Sequence, residues 1–456
     1  MNIRALGISI GRTSRVGVLF QYAIGEQIVN RFVADDGFIR LTHAPTLSLS
    51  MTAEDADAQA LLWRDIRSTR FNGAYSPANG WLLPAFFQNL LPEGVFRDRV
   101  AALRQCDPRD HFEMLAACGL DLPGNVFALP LALTRDELAR YVTQDADSLE
   151  MSVTAEPMEA GVSLSGVQPK VGVIEDSGRY VGRTRMQDTH IIAKLPVVGQ
   201  PRLPELEDLS LRLAAAAGAT VATAYLEPLE KLAVGHGYDL GDADQKTNFL
   251  AVVRYDREPG GKRVHTEDFA QVLGIAPEQK YVGGTYLDVA AVMMGFDSLG
   301  EPAVHELLRR LVINEMLGNP DMHLKNIGLW YPDGRTPELP PAYDIVAYAA
   351  YNMRAGHALH ILPAEMMPRP KRDDAGRTPK PAIAPVIVRR FCAELGIPEK
   401  PAAKVIRTTI EAAVAKWPDM IARSLLTDQQ KQRLLAHFEG HALVASLLKR
   451  VTRPQT

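Results

Sequence analysis

The sequence predicts an α+β fold built from several units. Its 456 residues exceed what one hydrophobic core usually supports. Short alternating apolar runs fill the first 50 residues, which is typical of strands, whereas a helical period dominates after residue 268. We therefore expect an N-terminal α+β domain at residues 1–135, a small strand-rich lobe at 150–258 and a mainly helical C-terminal lobe at 259–456.

Composition favours a folded, soluble, cytoplasmic protein. Hydrophobic residues make up 46% and charged residues 23%, and the net charge of -4 gives no global reason to bind nucleic acid. Cys106, Cys118 and Cys392 are widely spaced and odd in number, which argues against a disulfide framework and suits a reducing cytosol. The apolar residues near the N-terminus are interrupted too often for a secretion signal, and no window is apolar enough for a membrane span.

The first unit begins with strand patterns at Val16–Phe20 and Leu47–Ser50. The glycine pair Gly7 and Gly11 lacks the Gly-Lys-Ser/Thr ending of a phosphate loop, so we interpret it as a turn between strands. Helical spacing follows from Trp81 to Leu120, then another apolar run at Val126–Leu133. A short helix after Thr134 is expected to close the unit.

The second unit opens with a loop of small residues, Ser163–Lys170, which leads into a hairpin that turns at Asp176-Ser177-Gly178. Such a loop lets backbone N–H groups approach phosphates, and its serines are possible phosphoryl acceptors. Composition alone favours the simpler interpretation, a hairpin entry at the surface. Both interpretations stay open at this point.

A lysine inside an apolar strand is the next signal. Lys194 lies within His190–Pro196, so its ammonium must reach solvent or find an anionic partner. The Ala/Leu-rich helix Leu206–Ala217 follows, and we place Glu207 in its first turn. There a carboxylate either stabilises the helix dipole or forms an ion pair with Lys194, and the sequence favours neither.

The remaining elements are predicted from periodicity and capping patterns. Two strands, at Val221–Leu226 and Phe249–Tyr255, complete the small lobe. Helices follow at Asp268–Gly274, Tyr286–Met294, Val304–Leu317, Val386–Leu395, Lys400–Lys416 and from Asp428 onward. Thr427 and Gln430 have capping-box spacing before the last of these helices.

The segment Gly318–Asn326 and the later Pro341–Asp344 carry the polar groups expected of a reaction site. Asp321, Asn326 and Asp344 are suited to accept a proton and to hold Mg²⁺ beside a nucleotide, which points to phosphoryl transfer. Asn-Pro-Asp is also ordinary turn chemistry, and Tyr-Asp could cap a helix. The segments alone leave both possibilities open.

Their order along the chain supports the catalytic alternative. A loop of small residues, a strand lysine, a helix glutamate, a strand ending at Tyr255, an Asp with Asn five residues later and a second Asp follow one another as in protein kinases. Two features depart from that pattern. A GxGxxG spacing is absent before Lys170, and no glycine follows Asp344.

These departures fit one family. The segments Ser163–Lys170, His190–Pro196, Arg254–Arg257, Glu267–Phe269, Gly318–Asn326 and Pro341–Asp344 resemble the HipA family of toxin serine/threonine kinases. Asn89–Gly94 looks like a motif of that family's N-terminal domain. The resemblance covers essentially the full length and implies a bilobal protein-kinase-like, HipA-type fold behind the N-terminal domain.

The resemblance also implies roles for individual residues. Asp321 matches the catalytic Asp that handles the substrate hydroxyl, and Asn326 and Asp344 match the Mg²⁺ ligands. Lys194 matches the lysine that neutralises ATP phosphates. Backbone groups near Val253 to Tyr255 would hold the adenine, although the family often has an acidic residue where Val253 stands.

In the loop, Ser163 matches a serine that family members autophosphorylate, with Ser165 as a second candidate. Gly166 and Val167 would join them at the nucleotide, and Pro169 replaces a more usual acidic or polar residue. His323 matches a family position that supports the catalytic loop and the nucleotide site. A structural core histidine is nearly as good an explanation for it.

By resemblance, the chain is an ATP- and Mg²⁺-dependent toxin of a toxin–antitoxin pair, modifying a translation component such as an aminoacyl-tRNA synthetase. Its expected partner is a HipB-like helix-turn-helix antitoxin, through which DNA contact is mainly indirect, and no membrane is involved. Two alternatives remain: a kinase acting on small alcohols or aminoglycosides, and a catalytically silent scaffold of an antitoxin–DNA complex.

Overall fold

The computed structural model describes residues 2–65, 67–141, 150–159, 161–164, 166, 168–184, 187–258, 261–352, 356–367 and 382–451. Two residues of the predicted nucleotide loop, Ser165 and Val167, lie outside this set. No helix in the described part of the chain has the length and apolar character needed to cross a membrane.

The strands of the described residues are β1 (Asn2–Ile10), β2 (Ser14–Ile24), β3 (Gln27–Ala34), β4 (Tyr75–Ser76), β5 (Gly80–Trp81), β6 (Val126–Pro130), β7 (Glu150–Met151), β8 (Lys170–Asp176), β9 (Arg179–Val181), β10 (Ile191–Lys194), β11 (Ala224–Pro228), β12 (Leu232–Ala233), β13 (Asn248–Val253), β14 (His265–Asp268) and β15 (Gly328–Tyr331).

The α-helices are α1 (Asp36–Ile39), α2 (Ala56–Arg64), α3 (Ala85–Gln88), α4 (Gly94–Arg104), α5 (His111–Cys118), α6 (Arg135–Tyr141), α7 (Leu203–Ala216), α8 (Phe269–Val272), α9 (Tyr286–Met294), α10 (Gly300–Leu317), α11 (Pro385–Glu394), α12 (Glu399–Ala422), α13 (Asp428–Gly440) and α14 (Ala442–Val451). The mixture confirms the predicted α+β class.

The N-terminal unit is a sheet in the order β3-β2-β1-β6, with β7 pairing in parallel to β1. Gly11 adopts a left-handed φ of 67° in the turn between β1 and β2, as the turn interpretation requires. The helical spacing before Pro92 forms only one turn, α3, because Pro84 and Pro92 bound it on either side.

The strand predicted at Leu47–Ser50 is wrong. The chain forms a short 3-10 helix at Leu49–Met51, and the Ser48 side chain accepts a hydrogen bond from the Ser50 amide at its start. The Ser48 hydroxyl also donates to buried Glu267 at 2.6 Å. The Leu/Ser alternation does not form a strand here. The Ser48 side chain bonds its local backbone and a buried carboxylate, and these bonds compete with the hydrogen bonds of a strand ladder.

The second sheet has the order β11-β13-β10-β8-β9-β12. Its register places Lys194 of β10 opposite Lys170 of β8 on one side and Leu250 of β13 on the other. Like charges directly opposite each other destabilise a sheet unless anions compensate them. Carboxylates are therefore needed at this end of the sheet to compensate the two lysine charges.

The helical lobe shares its apolar core with α7, which crosses behind the second sheet. Fully buried Trp417 of α12 donates its indole N–H to the Leu213 carbonyl of α7 at 2.8 Å. Helix α10 ends at Gly318, whose φ of 64° turns the chain into the Asp321 segment. A side chain at Gly318 would put a Cβ 2.9 Å from that of Ala349, so this end of α10 needs glycine.

A buried ion network joins the N-terminal unit to the second sheet. Asp121 accepts hydrogen bonds from Arg257 at 2.9 Å and Arg254 at 3.2 Å, and Asp256 bonds both arginines. Burial alone would raise the pKa of Asp121, but the arginines outweigh it and lower the pKa to about 2. Asp121 is therefore ionised at neutral pH and links the two units.

We predict that Asp121→Asn lowers the free energy of unfolding at pH 7 by about 3 to 5 kcal/mol, because it leaves buried arginines without their anion. The pKa of Asp121 is depressed from 3.8 to about 2, so its contribution is present above pH 3.8 and is lost as the pH falls toward 2. Urea unfolding of both proteins at several pH values measures this.

The matched control is Asp419→Asn, which removes an exposed carboxylate paired with Arg423. We expect its effect to stay within about 0.5 kcal/mol. An Asp121→Asn protein as stable as the control at pH 7 would show that the network does not hold the units together.

Candidate active site

An open cleft lies between the second sheet and the helical lobe, and concave sites with a mostly apolar surface are where proteins bind small ligands. Its sides are largely apolar, with Ile192, Ala222 and Val252 among the lining residues. Its charged lining includes Lys170, Lys194, Glu207 and Asp344, and Asn89 of the N-terminal unit and the loop residue Ser163 also line it. Such a cleft combines an apolar surface for a flat ring with cations for an anionic group.

Lys194 is the centre of the charged cluster. Its ammonium donates to Glu207 of α7 and to Asp344, and the side chain is almost fully buried. Burial lowers the pKa of Lys194, but Asp344 and Glu207 outweigh that effect and raise it above the ordinary value. Lys194 is thus a permanent cation inside the cleft.

Glu207 reaches Lys194 from a different position than the sequence suggests. Helix α7 begins at Leu203, so Glu207 is its fifth residue and Glu205 occupies the first turn. The placement of Glu207 in the first turn, and with it the dipole explanation, is wrong. The helix starts three residues earlier than the apolar period indicates, at Leu203, because the proline at position 204 is well tolerated in a first turn.

Asp344 and Asn326 form the candidate metal site. Burial would raise the pKa of Asp344, but Lys194 and Lys170 lower it to about 2, so the carboxylate is charged. Asn326 donates its amide N–H to the Asp321 carbonyl at 2.7 Å, which leaves the side-chain oxygen as an acceptor. Both residues line one small cavity, and a carboxylate with an amide oxygen fits a hard cation such as Mg²⁺.

Asp321 lies in the loop after α10, with its side chain 40% exposed. Its Oδ1 accepts a hydrogen bond from the Tyr281 hydroxyl at 2.5 Å, and its amide donates to the Asn319 side chain at 3.1 Å. The Nε2 atom of His323 is 4.0 Å away. Burial lowers the pKa of His323 despite nearby Asp321, so its ring is neutral and packs edge-on against Tyr281.

The loop serine, Ser163, lines the cleft but is buried. The Ser163 hydroxyl donates to the Leu90 carbonyl, its amide donates to the Asp121 carbonyl at 3.0 Å, and the residue is 1% exposed. Gly166 has a φ of 90° beside Lys170, and a Cβ there would lie 2.7 Å from the ammonium. The described part of the loop thus packs closely on the charged end of the cleft.

The predicted adenine segment offers fewer backbone donors than expected. The N–H groups of Val253 and Arg254 already donate to Thr223 at 2.8 Å and to His190 at 2.9 Å. Val253 and Tyr255 line the cleft, and the Tyr255 ring stacks on Tyr343 with centroids 5.6 Å apart. An adenine ring bound here would have to form its hydrogen bonds with polar atoms of this segment other than these two N–H groups.

Sequence reasoning missed several residues of the site. Lys170 faces Lys194 across the sheet, a pairing that becomes visible only with the register. Tyr281 lies 40 residues before its partner Asp321 and belongs to no recognisable motif. Lys325 lies inside the recognised segment, but its buried contacts are not visible from its neighbours Leu324 and Asn326.

The comparison with known families decides the classification. A model of the HipA-like C-terminal domain matches residues 162–417, and a model of the HipA N-terminal domain matches residues 10–129. The chain belongs to the HipA family. The family resemblance of the sequence motifs is thereby confirmed.

Two relatives come from Sinorhizobium fredii. "Putative kinase Y4dM" is 34% identical over 323 residues, which cover 70% of this chain and 72% of the relative. "Putative kinase Y4mE" is 31% identical over 286 residues, which cover 58% of this chain and 64% of that protein.

A solved structure of similar fold is the HipA of Shewanella oneidensis MR-1, determined in a toxin–antitoxin complex with HipB and its operator DNA. The two chains are 19% identical, with a TM-score of 0.64 over 98% of this chain and 100% of that one. At this identity the likeness establishes the fold, and it confirms the expected HipA-type architecture.

We predict that Lys194→Met lowers the free energy of unfolding at pH 7 by about 3 to 5 kcal/mol, because Glu207 loses its cation. Burial raises the pKa of Glu207. A carboxyl group with a raised pKa stabilises the folded state at low pH, and this stabilisation is lost as the pH rises. The loss of unfolding free energy caused by Lys194→Met should therefore be smaller at pH 5 than at pH 7. Urea unfolding followed by circular dichroism measures both values.

The double variant Lys194→Met/Glu207→Gln should recover part of the loss, because it removes the stranded charge. Lys231→Met, which breaks the pair between more exposed Lys231 and Glu227, serves as control and should cost less than about 1 kcal/mol. Equal losses in the single and double variants would contradict the charge explanation.

Proposed function

We propose that the chain is an ATP- and Mg²⁺-dependent protein serine/threonine kinase and the toxin of a toxin–antitoxin pair. The observation that carries the proposal is the meeting of Lys194, Glu207 and Asp344 in one cleft, beside the loop that holds Asp321 and Asn326. These groups follow the order of parts in protein kinases. Two relatives that carry a kinase name add support.

Lys194 and Lys170 would neutralise the phosphates of ATP at the charged end of the cleft. The nucleotide's phosphates would replace Asp344 as a partner of Lys194, while Glu207 keeps that lysine in place. Asn326 and Asp344 would hold Mg²⁺, which neutralises charge on the phosphates when bound. Val253, Tyr255 and the apolar lining would take the adenine.

Asp321 would receive the proton of the substrate hydroxyl. The hydroxyl oxygen forms a bond to the γ-phosphorus, the bond between that phosphorus and ADP breaks, and the proton passes to Asp321. The exposure of the Asp321 side chain leaves it accessible to a hydroxyl from another protein. His323, neutral and buried, would support the loop from behind and border the nucleotide.

Ser163, or Ser165 beside it, would be the first acceptor of phosphate, with Gly166 and Val167 completing the loop over the nucleotide. Ser163 must leave its bond with the Leu90 carbonyl before it can react. A phosphate adds about two negative charges, which could not return to a buried position near Glu207 and Asp344. Self-modification would therefore expel the loop and switch the kinase off.

The expected protein substrate is a component of translation such as an aminoacyl-tRNA synthetase, in the cytoplasm. The expected partner is a helix-turn-helix antitoxin of the HipB type, by analogy with the Shewanella complex of HipA, HipB and operator DNA. Contact with DNA would then run mainly through the antitoxin.

We predict that Asp321→Asn lowers phosphoryl transfer at least about 100-fold, because the proton acceptor is lost. The fold should persist, since the side chain is partly exposed and lies outside the apolar core. Mass spectrometry of protein incubated with ATP and Mg²⁺ should find phosphate at Ser163 or Ser165 in the wild type and none in the variant. Expression of the variant should no longer arrest growth.

Asp419→Asn, an exposed change of the same kind, is the control and should transfer phosphate at the wild-type rate. Two results would count against the proposal. One is growth arrest by Asp321→Asn at normal expression, and the other is transfer from the wild type to small alcohols or aminoglycosides but to no protein.

A further inference from the structure

One carboxylate of the N-terminal unit, that of Glu93, contacts two segments near Asp321. One is the segment of Lys280 and Tyr281, and the other is the Asp321 loop itself, through Lys325. Glu93 Oε2 lies 3.0 Å from the Lys280 ammonium, and Oε1 lies 3.3 Å from the Lys325 ammonium. Lys280 directly precedes Tyr281, and Lys325 directly precedes Asn326. The carboxylate thus holds two segments that are 45 residues apart in the sequence.

Lys325 is anchored further by the N-terminal unit. Its side chain is 1% exposed, and its ammonium donates to the carbonyl oxygen of Asn89 at 3.0 Å and to the side-chain oxygen at 3.1 Å. Asp268 Oδ2 is a further neighbour at 3.4 Å. Burial lowers the pKa of Lys325, but Asp268 and Glu93 outweigh it and raise the pKa above its ordinary value.

Glu93 is placed for this contact rather than for its own helix. It is the N-cap residue of α4, yet its side chain caps no backbone N–H there. Burial would raise the pKa of Glu93, but Lys325 and Lys280 lower it to about 2. An N-cap side chain normally accepts a hydrogen bond from a backbone N–H of its own helix. The Glu93 carboxylate instead contacts the ammonium groups of Lys280 and Lys325.

The second segment is bonded directly to the Asp321 loop. The Leu324 amide donates to the Lys280 carbonyl at 3.2 Å, and the Tyr281 hydroxyl donates to Asp321 Oδ1 at 2.5 Å. Asp321 Oδ2 accepts no hydrogen bond from the residues that the structure describes. The Tyr281 bond therefore fixes one oxygen of the carboxylate and leaves the other for an incoming hydroxyl.

We propose that Tyr281 and Glu93 are positioning residues for Asp321. The Tyr281 hydroxyl orients the carboxylate, and Glu93 holds Tyr281 and the Asp321 loop in register through Lys280 and Lys325. The N-terminal unit is then part of the catalytic apparatus, although it supplies no group to the reaction. This inference rests on the proposed phosphoryl transfer and adds two residues to it.

The first test is Tyr281→Phe, which removes only the hydroxyl from a side chain that is 43% exposed. We expect kcat to fall roughly 10- to 100-fold while the KM for ATP stays within about twofold, because a small misplacement of a reacting group costs that much. A merely structural defect would raise KM and lower the melting temperature together with kcat. Tyr75→Phe, at a tyrosine that is 59% exposed, is the matched control.

The second test is Glu93→Gln, with Glu278→Gln as control because Glu278 is exposed and lies two residues before Lys280. Hydrogen exchange of the full chain should become faster in peptides covering residues 279–284 and 319–327 for Glu93→Gln but not for the control. In turnover, the combined loss of kcat in Glu93→Gln/Tyr281→Phe should be smaller than the product of the two single losses, because both residues position the same Asp321 carboxylate.

The outcomes separate this inference from the proposed function. An active wild type whose kcat is unchanged by Tyr281→Phe would overturn the inference alone, as would unchanged exchange in folded Glu93→Gln protein. Phosphate found on Tyr281 would also overturn it, because the tyrosine would then be an acceptor. A wild type that transfers no phosphate to any protein would overturn the proposed function first.

Discussion

Two lysines held opposite each other in a buried cleft are the constraint on which this structure depends. The register of β8 and β10 puts Lys170 beside Lys194, and both side chains are buried. Two desolvated cations side by side are strongly unfavourable unless anions lie within contact distance. Glu207 comes from α7 and Asp344 from the far side of the cleft, so the sheet, the crossing helix and the helical lobe are drawn to one point.

The same charges explain how the cleft can change state. Without a ligand, Asp344 and Glu207 share the Lys194 ammonium, and the carboxylates are what an incoming polyphosphate would displace or complement. Glu207 is fully buried on α7, where Lys194 is its partner. Glu207 is therefore held by burial, whereas the Asp344 side chain is 31% exposed.

Local signals in the sequence predicted most of the elements but few of the contacts. The capping box at Thr427 and Gln430, helix Tyr286–Met294 and the turn at Ser177-Gly178 depend on neighbours in sequence, and the structure has all three. Leu47–Ser50 failed because the partner of Ser48 is Glu267, more than 200 residues away. The contacts of Tyr281 and Glu93 with the Asp321 loop join distant parts of the chain, so no spacing rule could reveal them.

Asp344 combines a charge that pairs with Lys194 and an uncommon backbone conformation. Its φ of 55° lies in the left-handed region, which costs most non-glycine residues about 1 kcal/mol or more. Ile345 follows, and the aspartate itself bends the chain at this point. One residue therefore supplies both the charge and the backbone bend at this position. Glycine and asparagine tolerate this bend well, but neither carries the charge that pairs with Lys194.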